Sequence, residues 1–294
     1  MAQIREIKKR IGAVSNIERI TKTMQLIATA KFTTAIQRAK ATKPYTLKIR
    51  QLVAEVAGAA GDVDHPLLQA PTNPTKKDLI LAISSDRGLC GAYNGNVLRL
   101  ALKKIRENRE DGREVVIETV GKKAIGFFKF QKIPVQVKHM LGDKPAYEDV
   151  NHIASRYIDE FIEGKYDSVH VAYMRYESNS RQIPEVKQLL PLQKMGDDQG
   201  EKSTEAASHA NFEFSPSGEA LLNQLLPLTV KTELFQAIND SVVSEQIMRM
   251  IAMKAATENA KDLSRLLKRQ FNRARQAKIT TELMEVISGS AALE

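Results

Sequence analysis

The chain has 294 residues, 43% of them hydrophobic and only 5% aromatic, with no tryptophan and a formal net charge of +9. That is enough apolar material for a core, and the scarcity of aromatics fits helical rods better than β sandwiches. The single cysteine, Cys90, excludes an internal disulfide and a multi-cysteine metal site, and no run of 18 or more apolar residues is present to span a bilayer.

Residues 1–57 read as a long amphipathic helix. Ile4, Ile7, Ile11, Val14, Ile17, Ile20, Met24 and Ile27 step by three or four, the spacing of one buried helical stripe. Pro44 removes a backbone donor, so a kink or break is expected there, with Leu47, Leu52, Val53 and Val56 resuming before Gly58 and Gly61 end the segment. Residues 1–50 carry twelve Lys/Arg against two acids, Glu6 and Glu18. A rod this basic calls for an anionic partner: nucleic acid, a membrane surface or an acidic protein surface.

Residues 76–193 follow a different pattern. Asp78–Ser84, Glu114–Val120, Pro134–Met140, Tyr166–Tyr176 and Ile183–Leu192 read as strands. Ala92–Asn108, Gly121–Gln131 and Tyr147–Glu163 read as helices between them. This alternation predicts βαβ units and a mostly parallel sheet, a central Rossmann-like α/β domain. The last two strands, joined by a short polar turn, should pair antiparallel.

Residues 194–215 form a linker, with 195–210 an exposed polar loop and Ser215 or Ser217 a candidate helix cap. Residues 216–289 read as a second long helix, kinked at Pro227. From Leu228 to Ser288 neither glycine nor proline occurs. Leu234, Ile238, Val242, Met248, Ile251, Ala255, Leu263, Leu266, Ala274, Leu283 and Val286 again recur mostly at three- and four-residue steps. The economical way to bury both stripes is a long antiparallel coiled coil of the N- and C-terminal helices, with an irregular seam because the spacing departs from a clean heptad. A compact bundle of ordinary helices remains the alternative. Arg265–Lys278 holds six bases and no acid, either a solvated face or a contact surface.

The motif SSDRGLCGAYNGN, Ser84–Asn96, lies between a strand and a helix, where α/β folds often hold phosphates. It matches neither G-x-G-x-x-G nor a phosphate-binding loop ending in Lys-Ser/Thr, so a tight turn with Arg87 in a polar contact is the favoured reading. Cys90 has no histidine nearby in sequence and reads as a buried structural thiol. His65, His139, His152, His170 and His209 are scattered without metal-ligand spacing. No set of residues suited to independent catalysis, to a cofactor or to a metal emerges.

Three stretches together carry a resemblance that covers the whole chain: RITKTMQLIATAK (Arg19–Lys31), SDRGLCGAYN (Ser85–Asn94) and ARQAKITTELMEVISGSAAL (Ala274–Leu293). They resemble the gamma subunit of the bacterial, proton-transporting F-type ATP synthase. The resemblance implies a non-catalytic rotor shaft, turning inside three alpha and three beta subunits. It would couple proton-driven rotation of the membrane c-ring to ATP synthesis or hydrolysis and regulate ATPase activity and proton flow. It also implies epsilon and delta subunits as partners, no cofactor, no nucleic acid and no direct membrane insertion. The location implied is peripheral, on the cytoplasmic face of the bacterial inner membrane. By motif match, Met24, Arg87, Arg275 and Gln276 would contact the beta subunits or stator. Thr280, Glu282 and Gly289 belong to the C-terminal signature. Gly289-Ser290 departs from the usual Gly-Ala, and Thr23 and Gln25 stand where alanine and glutamate are frequent. Two other classes stand beside this one: a coiled-coil nucleic-acid-binding protein, supported by the basic N-terminus, and an α/β enzyme with helical arms, for which no residue set speaks.

Overall fold

A computed structural model describes residues 2–60, 65–69, 71, 73–192 and 218–291. The element order is α1 (Ala2–Ala60), β1 (Lys77–Ile83), α2 (Tyr93–Glu110), β2 (Glu114–Val120), α3 (Lys122–Phe130), β3 (Val137–His139), α4 (Tyr147–Ile162), β4 (Ser168–Tyr176), β5 (Gln182–Leu190) and α5 (Gly218–Ala291). The 195–210 loop, the whole 194–215 linker and the caps at Ser215 and Ser217 lie outside the described residues. The chain divides into two compact units, Met1–Ala30 with Arg249–Glu294, and Lys31–Met248.

The larger unit is built on one five-stranded sheet of order β3-β2-β1-β4-β5. β1 pairs in parallel with β2 and β4, and β2 with β3; β5 returns antiparallel on β4 across the short turn. Side chains alternate along each strand, so one strand feeds two cores. Leu79, Leu81, Ile83, Val169, Val171 and Tyr173 face α4, Leu222–Ile238 of α5, and Val53 and Val56 of α1. Ile80, Ala82, Ile117, Ala172 and Met174 face α2 and α3. Burial on both faces explains why β1 reads as the unbroken apolar run Leu79–Ile83.

Neither proline breaks its helix. α1 runs on through Pro44 and α5 through Pro227. A mid-helix proline costs about 3 kcal/mol in isolation. Here Ala39, Thr46 and Ile49 on one helix and Leu222, Leu226 and Val230 on the other are buried on both sides of the proline, and packing outweighs the lost hydrogen bond.

Two buried carboxylates tie the sheet together. Glu118 of β2 is fully buried; Arg156 donates to both its oxygens at 2.6 and 2.9 Å, Tyr157 to Oε2 at 2.7 Å, and His139 lies 2.8 Å from Oε2. Burial alone would raise its pKa, but these hydrogen bonds and the Arg156 charge hold it down at about 2. At the amino ends of the strands Asp78 accepts from Asn108, Arg113 and Ser168, and Arg113 bridges on to Asp167.

In the smaller unit, α1 and α5 pack as an antiparallel coiled coil. The Thr21 and Thr257 hydroxyls bond at 2.9 Å, while Val14 packs with Ala260 and Leu267, so rising numbers on one helix meet falling numbers on the other. The seam is more regular than the spacing of large apolar residues predicts. On α1 one row of covered positions is Ile4, Ile7, Ile11, Val14, Glu18, Thr21, Gln25 and Ala28, with half-buried Met24 beside it, and on α5 Met253, Thr257, Ala260, Ser264, Leu267, Phe271, Ala274 and Lys278, with Ala252 and Ala256 beside it. Both alternate steps of three and four, the heptad period. Ile17, Ile20, Ile27, Ile251, Leu263, Leu266, Leu283 and Val286, expected in the buried stripes, are instead 44–71% exposed. The small seam residues Thr21, Ala28, Thr257, Ala260 and Ser264 admit close approach of the helices, and that contact sets the register.

Candidate functional site: the coiled-coil surface and the strand-end loop

The surface of the coil combines two features. The first is apolar. Besides the residues above, Leu26, Ile279, Met284 and Ile287 are each about half exposed. The register that pairs Thr21 with Thr257 places α5 beyond about residue 276 past the first turn of α1, so among the described residues α1 does not run alongside Ile279–Ile287. Large apolar groups clustered on a surface mark a place where something else binds. The second feature is charge. The same register sets Arg5, Lys8, Lys9 and Arg10 of α1 alongside Lys268, Arg269, Arg273 and Arg275 of α5. Arg10 pairs with Glu6 at 2.6 Å. The result is a positive collar around one end of the coil.

The residues picked out by motif fall at different places. Arg275 and Gln276 are exposed on α5 within the collar. Met24 is half-buried and lies about twenty residues away along the coil, roughly 30 Å at the helical rise. Thr280 is exposed, its hydroxyl donating to the Gln276 carbonyl at 3.0 Å, and exposed Glu282 pairs with Lys278 at 3.1 Å. Gly289 lies within α5, its surroundings outside the described residues. Arg87 belongs to the larger unit and is exposed.

The strand-end loop shows why Ser84–Asn96 is no phosphate cradle. The amino terminus of α3, which points at this loop, carries three backbone N–H groups that a phosphate would use. All three are taken. Lys122 N–H donates to the Asp86 carboxylate at 3.1 Å, Lys123 N–H to the Ser85 carbonyl at 3.1 Å, and Ala124 N–H to Ser84 Oγ at 2.8 Å. The consecutive residues Ser-Ser-Asp thus cap a helix from a neighbouring strand. Asn94 closes the turn by accepting from Ser85 N–H at 3.0 Å and donating to Ser85 Oγ at 2.7 Å. Cys90 is buried in this turn with Asn94 Nδ2 at 3.1 Å. Gly121 is required beside it: its φ is +86°, and a Cβ there would sit 2.3 Å from the Ser84 carbonyl oxygen. Among the described residues no cluster of three or more His, Cys, Asp or Glu could hold a metal, and no helix is long and apolar enough to cross a membrane.

A family profile described as ATP synthase matches residues 3–293. The ATP synthase gamma chain of Rhodopirellula baltica is 42% identical over the full length of both chains, and that of Leptospira biflexa 39%, also at full length. The chain belongs to the ATP synthase gamma-chain family. The fold agrees with solved members of such assemblies. A chain of the Euglena gracilis mitochondrial ATP synthase superposes with a TM-score of 0.66 at 17% identity, covering 99% of this chain and 95% of that one. A chain from the Tetrahymena thermophila mitochondrial ATP synthase central stalk and c-ring gives 0.58 at 20% identity, covering 81% and 99%. Gamma chains are not the catalytic subunits, which agrees with a strand-end loop that engages the first three N–H groups of α3 internally.

What the residue pattern missed is the exposed apolar set. Ile17, Ile20, Ile27, Leu263 and Leu266 follow the helical period as well as the seam does. The signal that separates them is a second row one position away at the heptad period, which includes the small residues Thr21, Ala28 and Ser264.

Proposed function

We propose that this chain is the central rotor shaft of an F-type ATP synthase, coupling proton-driven rotation of a membrane ring to the conformations of three beta subunits. The observation that carries the reading is a coiled coil whose seam runs through Thr21, Ala28, Thr257, Ala260 and Ser264 while Ile17, Ile20, Ile27, Leu263 and Leu266 stand outside it. A coil built to exist alone would place them the other way round. Outward apolar groups suit a sleeve of surrounding subunits, and the collar around Arg275 suits acidic loops within it. Rotation demands contacts of different strength at each orientation, because a partner shifts a conformational equilibrium only by its differential affinity for the two states.

On this reading residues 1–57 and 216–289 are the shaft, 76–193 the base and 194–215 their link. Met24, Arg275 and Gln276 contact the beta subunits or stator, and Arg87 is a further contact on the base. Thr280, Glu282 and Gly289 lie on the segment enclosed by the head. The partners are three alpha and three beta subunits, epsilon, delta and the c-ring, at the cytoplasmic face of a bacterial inner membrane. The shaft also regulates ATPase activity and proton flow. Nucleic acid is not a partner, and the chain does not insert into the membrane.

The test is Arg275→Ala in the assembled enzyme. Complex assembly is retained, and ATP-driven proton pumping per ATP hydrolysed falls. Loss of assembly with unchanged coupling in whatever complex forms counts against the assigned contact. Met24→Lys, which adds a charge at a close contact, lowers the same ratio; an unchanged ratio removes Met24 from the interface.

A further inference from the structure

The buried face of α5 in the larger unit is polar to an unusual degree. Thr229, Thr232, Asn239, Ser241 and Ser244 are each no more than 2% exposed. Three of them have protein acceptors: Thr229 donates to the Leu225 carbonyl, Thr232 to that of Thr229 and Ser244 to that of Met174. Ser241 does not; its Oγ is buried and makes no hydrogen bond. A buried hydroxyl left in that state costs about 1–3 kcal/mol, so a partner is expected.

Ser241 lines a cavity of about 20 Å³ at the carboxyl ends of the parallel strands, with Ser84, Asp86, Gly121, Gly142 and Asp143 among its walls. This is the position where open α/β sheets take their ligands. Pockets for small-molecule ligands run from about 300 Å³ upward, whereas one water needs roughly 10–15 Å³. The walls also select against an anion. Asp86 and Asp143 are carboxylates, and the Asp86 carboxylate already occupies the N–H group that an anion would seek. No metal-holding cluster exists among the described residues. A neutral molecule that both donates and accepts fits the volume and the chemistry.

We propose that this cavity binds one ordered water, held by Ser241 Oγ and the acceptors of the Ser84–Asp86 segment, which joins α5 to the strand-end loop. The site lies wholly within the larger unit and does not depend on the rotor reading.

The experiment is a structure of the assembled complex at a resolution that shows solvent, paired with hydrogen exchange of the α5 amides 238–245 in the wild type and in Ser241→Ala. The expected results are a water within hydrogen-bond distance of Ser241 Oγ and at least a tenfold rise in exchange in Ser241→Ala. A dry cavity in the wild type overturns the proposal without any variant. Exchange unchanged in Ser241→Ala overturns the joining role.

Discussion

Glu118 has no exposure, yet its neighbours keep it charged, and this sets a measurable pH dependence. Its folded pKa of about 2 lies below the unfolded value of 4.5, so its contribution is complete above pH 4.5 and is lost as pH falls toward 2. At about 1.4 kcal/mol per unit this is about 3 kcal/mol at most. Glu118→Gln removes the closer of Arg156's two carboxylate partners, leaving Glu160 at 3.7 Å, and costs about 3 kcal/mol at pH 7. Denaturant titrations should show the gap to wild type closing by pH 2–3; a gap of constant size would show that packing, not charge, is lost. Asp240 runs the other way. Burial raises its carboxyl to about 6 against the pull of Gln236, Lys43 and Arg175. A raised carboxyl lowers stability as pH climbs from 3.8 to 6, with the full burden above 6. Asp240→Asn therefore stabilises the chain by about 1–2 kcal/mol at pH 7.5 and is neutral below pH 4. Neither carboxylate announces its role in the sequence. Glu118 in Val115–Val120 breaks an apolar run, but its partners His139, Arg156 and Tyr157 come from elements that only the fold assembles.

At the scale of elements, the coil reverses an intuition about which residues matter for stability. The stripe of isoleucines and leucines is legible in the sequence; which of two parallel stripes becomes the seam is not. That choice depends on how closely the helix backbones approach, which small residues decide. Ile20→Gln and Leu263→Gln should each change the stability of the chain by less than about 0.5 kcal/mol, as expected of exposed positions. Ala28→Leu, which forces a large side chain into a seam position 1% exposed, should cost about 1–3 kcal/mol. Melting of the three variants decides between the stripes: a large loss for Ile20→Gln with little for Ala28→Leu would restore the irregular seam. The sheet was far more legible. Its strands are bounded by turn residues and separated by amphipathic helices, so element type and the parallel pairing follow from local pattern. The Ser-Ser-Asp cap on α3 was not, because Ser84 and Ala124 are forty residues apart and meet only across β1 and β2. Gly121→Ala drives a Cβ into Ser84 at that junction, and a loss of about 2–4 kcal/mol is expected in a denaturant titration.

At the scale of the molecule, the central claim is that a coil with outward apolar surface and a positive collar is completed by other subunits. The most direct measurement is co-expression with the alpha and beta subunits of the same organism, followed by native mass and ATP hydrolysis with and without this chain. The expected result is a complex of three alpha, three beta and one copy of the chain, with hydrolysis that depends on its presence. Failure of the folded chain to join any such complex would contradict the rotor reading.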